Sequence, residues 1–164
     1  MRGRVAVACG RGRERNGPPG RAAELAGLLV SVRRGRVVSV TRHARPAAGL
    51  MVREAAERLR SNYLDGVVHV CLVRPTGAED LARTLAARGR RPAAAGQGPR
   101  TAWRTPPLAE QDVLVALDGS EFLTPDALVW LQNLLDAGPG VTILAAGRHP
   151  LPLHAEHGPP SRWA

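Results

Sequence analysis

The sequence contains no lysine, so all 23 of its basic residues are arginine. A bias so complete, beside abundant alanine, glycine and proline, follows a coding preference for GC-rich codons. The net charge of +9 is therefore weak evidence for a nucleic-acid partner. A selected phosphate-binding face gathers its basic residues on one element and interleaves aromatics, whereas these arginines are spread along the chain. Aromatic residues are scarce too, at 3%. That disfavours an aromatic-rich barrel or sandwich and favours closely packed α/β layers built from Ala, Val and Leu. Two cysteines exclude a disulfide framework, and neither CxxC nor a paired Cys/His spacing is present. Cys9 and Cys71 each fall in an apolar strand-like run, where a free thiol behaves as a small hydrophobe. His154 and His157 lie in a Pro/Gly-rich tail and are too few to form a metal site by themselves. No apolar run approaches the roughly 20 residues that cross a bilayer, and the start MRGRVAVACGRGR lacks the apolar stretch of a signal peptide. A cytoplasmic protein without membrane contact is expected.

What is present fits one domain. A chain of 164 residues buries about two thirds of its unfolded surface on folding. RVAVAC (Arg4 to Cys9) is a short apolar run fit for a strand, followed by the loop-forming GRGRERNGPPG, whose lone GxG at Gly10 and Gly12 is too short to be a nucleotide fingerprint. In RAAELAGLLVSV (Arg21 to Val32), Leu25, Leu28, Leu29 and Val32 recur at helical spacing. RVVSVT (Arg36 to Thr41) is β-branched and near-continuous, the pattern of a strand buried on both faces of a parallel sheet. After the loop RHARPAA, Gly49 to Leu59 returns to the helical period, and VVHVCLV (Val67 to Val73) reads as a second buried strand. Thr76 with Glu79 predicts a capping box for the helix GAEDLARTLAARG. The segment Arg88 to Pro107 is an Ala/Gly/Pro/Arg-rich connection, expected to be mobile. DVLVAL (Asp112 to Leu117) is a third strand ending at Asp118. Thr124 then caps a helix with Pro125 at its first position, the face Leu128, Leu131, Leu134, Leu135, and a stop at Gly138. VTILAA (Val141 to Ala146) is the fourth strand, after which the chain decays into GRHPLPLHAEHGPPSRWA.

Strands alternating with helices give a three-layer α/β sandwich with a mostly parallel sheet, whose ligands bind at the carboxyl ends of the strands. RHARPAA, DGSEF and GRHP leave three of those ends. Neither a Ser/His/Asp nor a Cys/His constellation is legible, so active enzyme chemistry ranks low.

Taken in order, PGRAAELAGLL, RVVSV, SNYLDGVVHVCLV, QDVLVALDGSEFL and GPGVTILAAGRHPL resemble the NB-ARC type of STAND P-loop ATPase domain over roughly Pro19 to Leu151. The resemblance implies a P-loop NTPase-like fold, ATP or ADP with Mg²⁺ as cofactor, and a regulatory role exerted on a protein partner. It places the phosphate-binding loop on RHARPAAG, Arg42 to Gly49, with the family's lysine at Ala48 and its metal-binding hydroxyl at Gly49. Arg42, Arg45 and Ala47 stand where its glycines would be. The glycines let backbone N–H groups curl around phosphates, and the lysine neutralises their oxygens. With both missing, efficient hydrolysis is not expected, since losing one such donor costs about 3 kcal/mol of transition-state stabilisation. Arg42, His43 and Arg45 still offer positive charge at the amino end of the next helix.

Asp118 stands at the family's Mg²⁺-coordinating aspartate and Glu121 near its catalytic acid; equally, both serve to cap the helix begun near Thr124. Arg148 stands at the sensor arginine, and is otherwise one more exposed arginine. Residues 1–20 then form an N-terminal strand and linker, 21–153 the degenerate P-loop-like domain, and 154–164 a flexible tail. In the family's sheet the first strand lies between the fourth and a fifth. The resemblance supplies four strands in order, so Arg4 to Cys9 is expected to fill the edge beside Arg36 to Thr41. Two functions follow: a regulatory pseudo-ATPase domain with weak or no ATP/ADP binding, or an arginine-rich nucleic-acid-associated protein that uses the scaffold for shape.

Overall fold

The computed structural model describes residues 4–8, 19–41, 45–89 and 108–154, with side chains over 22–41, 48–89 and 108–154. In chain order these residues form β1 (Arg4–Ala8), α1 (Pro19–Arg34), β2 (Val37–Thr41), α2 (Arg45–Leu59), β3 (Val67–Cys71), α3 (Ala78–Arg88), β4 (Val113–Asp118), α4 (Pro125–Ala137) and β5 (Val141–Gly147). The five strands make one sheet in the order β1-β2-β5-β4-β3, and every pairing is parallel. β1 occupies the expected edge, in register from Arg4↔Val37 to Ala8↔Thr41.

Side chains alternate across a strand, and this divides the core in two. Val38, Val40, Leu114, Ala116, Leu144 and Ala146 face α1 and α2, meeting Leu28, Val52 and Leu59. Val37, Val113, Val115, Leu117, Val141 and Ile143 face α3 and α4, meeting Leu81, Leu85, Leu131 and Leu134. Each fully buried leucine contributes about 1.5–3 kcal/mol relative to exposure. The helices therefore hold to the sheet by the faces their spacing marks out, with Leu25, Leu28 and Val32 buried in α1 and Leu131, Leu134 and Leu135 in α4.

Four expectations need correction. VVHVCLV is not buried on both faces: β3 is the edge strand opposite β1, Val68 and Val70 are buried, and Cys71 is exposed rather than a core hydrophobe. An apolar run reports side-chain hydrophobicity, while the place of a strand in the sheet is settled by connections elsewhere in the chain. Cys9 lies outside the described residues. The capping box at Thr76 does not form. Gly77 is the N-cap of α3 without a side-chain bond, Thr76 Oγ donates to the Arg74 carbonyl, and the Asp126 carboxylate accepts the Ala78 N–H at 2.9 Å. Asp126, in the first turn of α4, thus caps a different helix, and Thr124 donates its hydroxyl to the Thr76 carbonyl at 3.0 Å.

The chain after β5 does not decay at once. Leu151 and Leu153 are buried in the core on the α4 face, and His154 is held by Gln132 of α4 through both its N–H and its carbonyl, each at 2.7 Å. Finally, most of RHARPAAG is helix: α2 begins at Arg45, leaving 42–44 between it and Thr41. Without glycines to bend the backbone, and with alanines in the run, the helix extends towards the strand. The connection 90–107 and the tail beyond His154 lie outside the described residues.

Candidate functional site

Chain leaving β2 enters α2 on one face of the sheet, whereas chain leaving β5 runs onto the α4 face, so the neighbouring carboxyl ends Thr41↔Gly147 form the topological switch point. Open α/β sheets bind ligands at such points. Three elements supply its walls: the first turn of α2, the end of β4 with the Gly119–Phe122 turn, and the end of β5.

Asp118, the last residue of β4, lies on the α2 face in register with Ala146 and Cys71. Its carboxylate sits against the Cα of Gly49. A Cβ built there would collide with the carboxylate, lying 2.7 Å from Cγ and 2.9 Å from Oδ1. Gly119 then turns the chain at φ +84°, a conformation open to glycine because it has no Cβ. This turn sends Ser120 and Glu121 under β5, where a Cβ on Gly147 would collide with Ser120 Oγ and lie 3.2 Å from Glu121 Oε2. Ser120 is buried and both carboxylate oxygens of Glu121 are shielded from solvent. Two glycines, Gly49 and Gly147, therefore let two carboxylates pack against backbone at the switch point.

Of the residues named from the sequence, the structure brings Gly49, Asp118 and Glu121 to this one end of the sheet. Arg148 follows Gly147 and is exposed. Arg45 is the first residue of α2, its side chain outside those described; Arg42 and His43 lie outside the described residues altogether. The helix-capping alternative for Asp118 and Glu121 is not what the structure shows for Asp118, which faces α2 and not the start of α4. Among the described residues, no group of three or more His, Cys, Asp or Glu side chains is arranged to hold a metal ion.

Sequence reasoning missed His69. It stands on β3, two residues before Cys71, on the face shared with Asp118, and its Nε2 is buried without a hydrogen-bond partner among the described residues. Burial holds its pKa below the ordinary 6.5; Asp118 and, more weakly, Glu57 oppose that shift, while Arg53 and Arg88 add to it. The unfolded state therefore binds the proton more readily than the folded state, so the His69 contribution favours folding above about pH 6.5 and is lost as pH falls below it. Exchanging His69 for glutamine is expected to flatten the fall in melting temperature between about pH 7 and 5. An unchanged slope in a melting series across that range would show that His69 is not responsible. Only the alternation within VVHVC hinted that His69 shares a face with Asp118, and nothing in the sequence gave the register between their strands.

No helix among the described residues is long and apolar enough to cross a membrane. No family model, no curated protein and no solved structure matches the chain.

Proposed function

We propose that this chain is a degenerate P-loop NTPase-like domain of the STAND kind, a pseudo-ATPase with weak or no ATP/ADP binding that acts in regulation through a protein partner. The observation that carries the reading is the contact between Gly49 and Asp118. The resemblance puts a metal-binding hydroxyl at Gly49 and a Mg²⁺-coordinating aspartate at Asp118. These two positions, far apart in sequence, do meet. They meet, however, with the carboxylate filling the volume that a hydroxyl side chain would need, and with α2 extended into the stretch where a phosphate loop would curl. The strand order supports the same reading, because β2 lies between β5 and the added edge strand β1, as the resemblance implied.

The alternative of a nucleic-acid surface draws less support. Arg58 pairs with Glu54, Arg60 with Glu57, and Arg83 with Glu79 and Asp80 along their own helices. Such pairs make solvated helix faces and leave those guanidinium groups less available to phosphate.

Thermal-shift titration with ATP and ADP, with and without Mg²⁺, tests the proposal. At about 1 mM nucleotide, a site with a dissociation constant of a millimolar or weaker moves the melting temperature by no more than a degree or two. That is the expected result. A Mg²⁺-dependent rise of about 5 °C or more, abolished in Asp118→Ala, would mean that the site is a working nucleotide site. Silence with nucleotides combined with salt-sensitive DNA binding would favour the nucleic-acid reading.

A further inference from the structure

The segment that follows β5 is held to the fold by side chains of two other elements. From Arg148 to His154 the sequence is RHPLPLH, and its burial alternates: Pro150, Pro152 and His154 are exposed while Leu151 and Leu153 are buried. The two prolines have no N–H, which prevents this stretch from adding to the sheet as a regular strand. Side chains of other elements hold its backbone instead. The buried hydroxyl of Ser39 on β2 accepts the Leu151 N–H at 3.0 Å. The amide of Gln132 on α4 accepts the His154 N–H and donates to the His154 carbonyl. Ser39 and Gln132 thus read an extended backbone at two points, and the core takes a leucine at every second residue between them. That is how a groove binds a short peptide, with main-chain hydrogen bonds for affinity and pockets for alternate side chains.

We propose that residues 148–154 form a strap, a linear peptide bound in cis in a groove between β2 and α4, which opens and closes as a unit while the sheet stays folded. Among the described residues, two buried leucines and the Ser39 and Gln132 contacts anchor it. Elements with few buried contacts open with lower free energy than the core they rest on. The prolines restrict the open strap to extended conformations, so little order is lost on closing and rebinding is rapid. The strap's root is Gly147, which abuts Ser120 and Glu121 at the switch point. Opening therefore uncovers the α4 side of β2 and releases the chain that follows Gly147 from the Ser39 anchor at Leu151. This device gives the regulatory role a moving part, but it stands on contacts separate from Gly49 and Asp118 and does not depend on nucleotide binding.

Native-state hydrogen exchange on the full chain, followed by NMR across low denaturant concentrations, tests the strap directly. The amides of Leu151 and His154 are expected to exchange at least about 100-fold faster than those of Val40 and Leu144, with little dependence on denaturant. Gln132→Ala, which removes the clamp without touching a buried apolar side chain, is expected to speed both strap amides about tenfold and leave Val40 and Leu144 unchanged. Ser39→Ala should act in the same way. If Leu151 and His154 instead exchange in step with Val40 and Leu144, with the same denaturant dependence, the segment belongs to the core and the proposal is wrong. The same conclusion follows if Gln132→Ala accelerates strap and core amides equally. A failure of the nucleotide titration to match its expectation would leave this outcome untouched, because the two experiments read different residues.

Discussion

Replacing Arg36 by alanine is expected to lower the unfolding free energy by about 3 kcal/mol, the largest effect we anticipate from a side chain outside the apolar core. Arg36 precedes β2 and is half-buried. Its guanidinium donates from Nη2 to the Leu135 carbonyl at 2.8 Å and to the Gly138 carbonyl, and from Nε to the Val141 carbonyl at 3.2 Å. Those acceptors are the end of α4, the turn after it and the first residue of β5. The last carbonyls of a helix have no partner within the helix, and a cation beside them is favoured by the helix dipole. One side chain thus satisfies three carbonyls from a sequence distance at which no local turn could reach them. Alanine would leave these groups without their charged donor. Lysine would retain the charge but not the planar fork, so Arg36→Lys is expected to lose about half as much. Urea unfolding with an unchanged slope is the appropriate measurement. A loss below about 1 kcal/mol for the alanine variant would show that water replaces the guanidinium without penalty.

The second large effect is a coupling. Gly49→Ala in α2 should gain about 1 kcal/mol of helix propensity if nothing stood in the way. Here the new methyl group meets the Asp118 carboxylate, and overpacking of this kind costs about 1–3 kcal/mol. We therefore expect Gly49→Ala to destabilise the native chain by about 1 kcal/mol and to stabilise the Asp118→Ala background by about the same amount. The double-mutant cycle then has a coupling near 2 kcal/mol. A coupling below about 0.5 kcal/mol would mean that Asp118 turns aside at no cost, and that the space beside α2 is open to a hydroxyl after all. The measurement bears on function as well as stability, because the proposed degenerate site has this contact where a metal-binding hydroxyl would stand.

Much of the fold was legible before the structure. The β-branched run Val37–Thr41 and the apolar run Val113–Asp118 became central strands because continuous hydrophobicity is what burial on two faces requires. The helix faces of α1 and α4 were fixed by the spacing of their leucines. Legibility failed where one residue type has two uses. Thr76 and Glu79 have the spacing of a capping box, but Asp126 had the geometry to take the Ala78 N–H. The Leu-Pro-Leu of the terminal segment looks like loop by composition, yet it finds two apolar pockets. At the candidate site, Asp118 and Gly49 could be named from a resemblance, but their contact could not. His69 was not named at all, since a histidine within an apolar strand gives no sign of which charges will face it.

The amino-acid sequence alone set the order of the elements and the alternation of strand and helix, because these follow from local propensity and the period of apolar residues. It also determined, by containing no lysine, that no P-loop lysine is supplied from within this chain. What local pattern left open, and packing settled, is that β3 lies at an edge, that Arg36 staples the end of α4, that the segment after β5 lies on Ser39, and that Asp118 closes on Gly49. Each of these is a contact between segments distant along the chain, where the outcome depends on which surfaces the packed helices leave free.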